Sequence, residues 1–151
     1  GLYNVESDPM EMLKLVNLEE KAKAKFKELS GGQKQRFSIC TTLINNPKII
    51  FLDEPTTGLD PQARRNLWEL IQKINSTGTT IMLTTHYMDE AEILCNRVGI
   101  IDNGIIISID SPDNLIDDLV KSGFERPKQI KNASLEDVFL HLTGKEIREN
   151  S

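Results

Sequence analysis

The chain of 151 residues is short of cysteine, aromatics, positive charge and long apolar runs, and each shortage narrows what it can be. Cys40 and Cys95 are the only cysteines, and each sits in an apolar helical pattern. Two such thiols argue against a disulfide-rich secreted scaffold or a metal pair; they read as reduced core residues in a cytosolic setting. Eighteen Lys and Arg stand against 23 Asp and Glu, a net charge of −5. No basic footprint for nucleic acid follows from that balance. The longest apolar runs, such as Ile49-Ile50-Phe51-Leu52, are too short to cross a bilayer, and no signal-peptide pattern opens the chain. Direct membrane insertion is therefore not expected. Aromatics make up only 5%, with Trp68 the single tryptophan. What remains is an apolar fraction of 38%, enough for a modest core, in a length that suits one domain or a large part of one.

Helix and strand patterns follow in order. Asp8-Pro9 caps and opens a helix with Met12, Leu13 and Val16 on one face. Lys21 to Lys27 is polar and solvated. After Ser30 a second helix carries Phe37, Cys40 and Ile44 on one stripe and stops at Asn45-Asn46-Pro47. Lys48 to Asp53 is continuously apolar and too short for a helix, so it reads as a strand buried on both faces. Asp60-Pro61 starts a helix striped by Ala63, Leu67, Leu70, Ile71 and Ile74, which Gly78 ends. Thr79 to Thr84 reads as a second buried strand. A helix bearing Met88, Ala91 and Cys95 comes next. Asn103-Gly104 between apolar runs signals a hairpin. Ser111-Pro112 and Ser134 cap two last helices, joined by a polar connection from Phe124 to Ala133. The order implies an α/β layer with partly parallel strands.

Three short motifs carry chemistry. In Leu29-Ser30-Gly31-Gly32-Gln33, Ser30 and Gln33 match a capping box. A capping box does not need two glycines. Gly31 and Gly32 leave the helix mouth bare, where unpaired N–H groups and the helix dipole favour an anion such as phosphate. In Ile49 to Asp60 a strand ends in two consecutive carboxylates, Asp53 and Glu54. Like charges placed together at a strand end suit a divalent cation or catalytic work, and an acidic turn before Pro55 is the plainer alternative. Strand alternation points the two in different directions, so one can serve a cation while the other faces a water. Third, His86 follows the second strand, where it could touch a phosphate oxygen or an attacking water.

In this order and spacing, the three motifs resemble the nucleotide-binding domain of ABC-type ATPases, and the resemblance runs over essentially the whole chain. It implies a partial P-loop NTPase (RecA-like) core: residues 1–46 as part of the helical signature subdomain, 47–110 as part of the catalytic α/β core with the hairpin, and 111–151 as a C-terminal helical extension. It also implies ATP and Mg2+. Ser30, Gly31, Gly32 and Gln33 would be the signature loop, closing over ATP held by the opposite subunit of a head-to-tail dimer. Asp53 would hold Mg2+, mainly through water. Glu54 would be the general base, and His86 would contact the γ-phosphate. Asp60 would belong to the loop that couples the two sites across the dimer. The tail, Ser134 to Gly144, resembles that of prokaryotic exporter ATPases. A transmembrane permease would be the membrane partner, with the subunit peripheral at the inner face of the cell membrane. Two other classes compete: a non-catalytic dimerisation module lending its signature loop to a partner, and an ABC-type ATPase acting on DNA or ribosomes.

The chain departs from the family pattern at one place that matters. Its 151 residues contain no Walker A sequence, Gly-x-x-x-x-Gly-Lys-Ser/Thr, the loop that cradles the phosphates. Gly99 to Gly104 has the glycine spacing, but Ile105 and Ile106 follow it. No glutamine precedes Gln33, so the family's glutamine loop is not here either. The chain is thus expected to correspond to the later part of the domain, to bind ATP–Mg2+ weakly by itself and not to turn it over. An open edge on the Lys48 to Asp53 strand would also favour self-association.

Overall fold

A computed structural model describes residues 8–124 and 133–144, with the side chain of Glu136 outside the description. The chain divides into two compact units, up to Thr84 and from Thr85.

In the first unit, α1 spans Pro9–Leu15, and the Asp8 side chain accepts from Met10 N. Two short 3-10 turns, Glu19–Lys21 and Phe26–Glu28, fill the polar stretch after it. Helix α2 is Gly31–Leu43. Its buried residues are Ile39 and Cys40, whereas Ile44 is exposed, so the apolar stripe is rotated from the one the spacing suggests. Arg36 fastens α2 to α1: Nη1 donates to Val16 O (3.0 Å) and Asn17 O (3.4 Å), the carbonyls just past the end of α1. Strand β1, Ile49–Asp53, pairs in parallel with β2, Thr80–Thr84, in the register Phe51 to Met82 and Asp53 to Thr84. Between them runs α3, Pro61–Ser76, whose Leu67, Leu70, Ile71 and Ile74 are buried at the expected spacing. α3 also packs on β2.

One expectation needs correcting. Both strands read as buried on two faces, yet burial alternates along each of them. Ile50 is buried, while Ile49, Phe51 and Met82 are 53%, 73% and 61% exposed. The reason is the sheet itself: β1 and β2 pair only with each other among the described residues, and one face of the pair is uncovered.

In the second unit, α4 is Met88–Leu94, β3 is Val98–Asp102 and β4 is Ile105–Asp110. β3 and β4 form the expected antiparallel hairpin, with a bulge at Ile100/Ile101 that nothing in the sequence announced. Asn103 and Gly104 both have positive φ, +49° and +76°, as a tight hairpin turn requires. The glycine spacing of Gly99 to Gly104 thus belongs to a hairpin, not to a phosphate loop. Helix α5, Pro112–Lys121, and α6, Leu135–Thr143, start at Ser111 and Ser134 as their sequences indicate. Ala91, Ile100, Leu115, Leu119, Leu135 and Val138 form the core of this unit. Glu92 adds a polar tie, its Oε1 accepting from Leu135 N at the start of α6 (2.5 Å). Most of the connection between the last two helices, residues 125–132, lies outside the described residues.

Candidate functional site

The signature turn is built as a capped helix. Ser30 Oγ accepts from Gln33 N (3.3 Å), and Ser30 N donates to Gln33 Oε1 (2.9 Å). That reciprocal pair is the capping box read from the sequence. Neither glycine has a positive φ, so conformational freedom does not explain them. Their surroundings differ. A Cβ on Gly31 would meet only Leu59 Cδ2, at 4.0 Å, an ordinary contact. A Cβ on Gly32 would stand 3.0 Å from Ala63 Cβ. Gly32 is therefore where α2 touches α3.

Asp60 begins α3. Its Oδ1 accepts from Gln62 N (3.0 Å) and Ala63 N (2.9 Å), and Pro61 follows at the first helical position, where no N–H is needed. Two helix starts thus lie side by side. Between them is a shallow pocket of about 200 Å3, with Ser30, Gly32, Gln33 and Arg36 on the α2 side and Asp60, Gln62, Ala63 and Asn66 on the α3 side. Gln62 Nε2 donates to Asn66 Oδ1 one turn on (3.0 Å). The sequence motifs pointed to Ser30, Gly32, Gln33 and Asp60. They did not point to Arg36, Gln62, Ala63 or Asn66, for which helical spacing was the only signal.

The carboxylate pair sits at the C-terminal end of β1, where α/β sheets bind ligands. Both Asp53 and Glu54 are exposed, not buried as a strand with two covered faces implied. Thr84, opposite Asp53 on β2, organises them. Its hydroxyl donates to Asp53 Oδ1, and Glu54 N donates to both Thr84 O and Thr84 Oγ1 (3.1 Å each). Glu54 has φ +43°, in the left-handed region that a non-glycine residue enters at a cost. That turn separates the directions of two adjacent carboxylates. Glu54 Oε2 in turn accepts from Thr57 Oγ1 (3.0 Å). Thr84 and Thr57 were not foreseen as site residues. Thr84 could have been suspected only from a parallel register that the sequence does not print.

His86 opens the second unit and is half-buried, its ring against that of Tyr87 with centroids 4.1 Å apart. Tyr87 N donates to Thr85 Oγ1 (3.0 Å), so a hydroxyl-closed turn fixes the backbone around the histidine. Cys40 and Cys95 are both free thiols. Burial raises the pKa of each, and Glu90 raises that of Cys95 further. Both stay protonated near neutrality; Cys40 is a core thiol as expected, whereas Cys95 is only half-buried, at the end of α4.

Among the described residues, no three His, Cys, Asp or Glu side chains group as a metal cage. Mg2+ does not need such a cage: it keeps several waters and takes one or two carboxylates plus substrate phosphates. Asp53 is such a carboxylate, exposed at a strand end and oriented by a hydroxyl.

An α/β layer with parallel strands, carboxylates at a strand end and a bare capped helix mouth fits part of the P-loop NTPase fold, without the phosphate loop itself. Comparison with known proteins sharpens this. The family model described as "ABC transporter" matches residues 5–57, which include the signature turn and the carboxylate pair. The Nod factor export ATP-binding protein I of Burkholderia thailandensis is 36% identical over 91% of this chain and 61% of its own length. The protein of the same name from Rhizobium etli is 45% identical over 77% of this chain and 37% of its own. A crystal structure of an ATP-binding cassette of an ABC transporter, in its ADP conformation, superposes with a TM-score of 0.67 over 80% of this chain and 50% of that one, at 24% identity, a likeness of fold. The chain thus shares with these ATP-binding proteins the segment that carries the Ser30 to Gln33 turn and the carboxylate pair. It spans 61% and 37% of the length of these two curated relatives.

Proposed function

We propose that this chain is the part of an ABC-type ATP-binding subunit that supplies the signature turn and the hydrolytic carboxylates for ATP turnover coupled to membrane export. The observation that supports it most is the arrangement at the end of β1. A strained Glu54 and an oriented Asp53 are both tied to Thr84 across the parallel β1–β2 pair. Strain of this kind collects at functional sites.

Asp53 would hold Mg2+, whose chemistry here is to neutralise charge on the transferred phosphate. Glu54 would take the proton of the attacking water at a carboxylate oxygen and keep that water in line. Ser30, Gly31, Gly32 and Gln33 would offer the start of α2 to ATP bound by a second subunit, with Asp60 beside them in the same dimer contact. His86 would approach the γ-phosphate. No helix among the described residues is long and apolar enough to cross a membrane. In the proposed function a permease partner would hold the subunit at the inner face. Export as the direction is supported by the relatives' names. With no Walker A sequence in its 151 residues, the chain needs a subunit that has one.

The test is ATP turnover by this chain mixed with a Walker A-containing first segment of a family subunit, one that ends before that subunit's own signature turn and carboxylates. Turnover should appear only in the mixture and should fall at least 100-fold with Glu54→Gln, on the order of a lost general base. Turnover by the chain alone that Glu54→Gln abolishes would contradict the proposal.

A further inference from the structure

Glycine at position 32 has two possible reasons: to let a ligand reach the backbone, or to let another part of the protein do so. The structure separates them. The Cβ that Gly32 lacks would fall 3.0 Å from Ala63 Cβ and 4.0 Å from Ala63 Cα. Few real Cβ contacts are that close, and the neighbour is the body of a 16-residue helix, not the end of a flexible side chain. Ala63 is itself anchored, its N–H given to Asp60 Oδ1 at 2.9 Å. A side chain at position 32 would therefore push the start of α3, and Asp60 with it, away from Ser30. At Gly31 the same atom would make only an ordinary contact with a leucine methyl.

We infer that Gly32 is a positioning residue: its bare Cα seats α2 against Ala63, so that the signature turn and the Asp60 turn are held as one surface. The steric part of this stands on geometry alone, and its consequence for turnover rests on the function proposed above. In that function both turns face one nucleotide across a dimer, so their spacing must match it. A shift of about 1 Å in such a surface can cost on the order of 100-fold in rate.

Ala63→Gly removes the atom that Gly32→Ala would strike and leaves the N–H to Asp60 in place, so it can act as a rescue. The experiment compares Gly31→Ala, Gly32→Ala, Ala63→Gly and the double variant Gly32→Ala/Ala63→Gly, each in the whole chain. Stability is read as the urea midpoint followed by Trp68, and turnover is read in the mixture with the same Walker A-containing first segment. Alanine is the better helix former, so propensity alone predicts a higher midpoint for both glycine replacements. We expect Gly31→Ala to keep or raise the midpoint and Gly32→Ala to lower it. The double variant should be more stable than the sum of its single changes. Turnover should fall at least tenfold in Gly32→Ala and return to within about threefold in the double variant, the size of effect that small misplacements have. A Gly32→Ala midpoint at or above the wild type, or additive midpoints, would overturn the contact. Midpoints that couple without recovery of turnover would overturn the positioning role. A wild-type mixture without turnover would instead overturn the proposed function and leave the midpoints to decide the contact.

Discussion

Replacing Glu54 by alanine and by glycine separates the backbone at the site from its chemistry. Both changes delete the carboxylate and its bond from Thr57, so that loss cancels between them. What differs is the left-handed backbone at φ +43°. Holding a residue with a Cβ there costs about 1–2 kcal/mol. Glycine escapes this but loses about 0.5–1 kcal/mol more conformational freedom on folding. The difference leaves Glu54→Gly more stable than Glu54→Ala by about 0.75 kcal/mol, within a span of roughly 0–1.5 kcal/mol. At an ordinary strand or helix position the order is the reverse. The assay is urea unfolding followed by Trp68, the only tryptophan, which lies on α3 in the same unit. Neither variant should support turnover in the mixture with the Walker A-containing first segment. An alanine variant as stable as the glycine variant, or more so, would refute the strain argument and with it the reason for treating this turn as built for function.

Glu92→Ala should destabilise the second unit by about 1–2 kcal/mol, because it removes a charged acceptor from the start of α6; hydrogen exchange at Leu135 would register the loss. Asp110 has its pKa lowered by the Asn114 side chain and the Ser111 N–H. A lowered folded pKa contributes stability above the unfolded value that disappears as pH falls through the folded one, so Asn114→Ala should raise the Asp110 pKa in an NMR titration. The uncovered face of Phe51 and Met82, beside the open edge of β1, should drive concentration-dependent self-association. Phe51→Lys should reduce it in sedimentation velocity, and a wild-type monomer at all concentrations would contradict the expectation.

The parts of this protein that could be read in advance are those where local chemistry decides. Capping residues announced the starts of α1, α2, α3, α5 and α6, because Asp8, Ser30, Asp60, Ser111 and Ser134 satisfy N–H groups within their own turns. The Asn103-Gly104 hairpin was legible for the same reason. What could not be read depends on residues far apart in the chain. Thr84 reaches Asp53 and Glu54 only because β1 and β2 pair in one register. Ala63 explains Gly32 only because two helix starts meet. The exposed faces of Phe51 and Met82 also escaped, since a run of apolar residues does not say how many neighbours a strand has. Among the site residues, the signature turn and Asp60 come together around one pocket, and Asp53 and Glu54 around Thr84.

The central claim is that this chain carries a signature turn and catalytic carboxylates but depends on another subunit for the phosphate cradle. Calorimetry with a non-hydrolysable ATP analogue and Mg2+ addresses it most directly, on the chain alone and on the chain mixed with a Walker A-containing subunit. The account predicts little or no binding to the chain alone, and in the mixture binding that the Ser30 to Gln33 turn strengthens. Tight binding to the chain alone would contradict it.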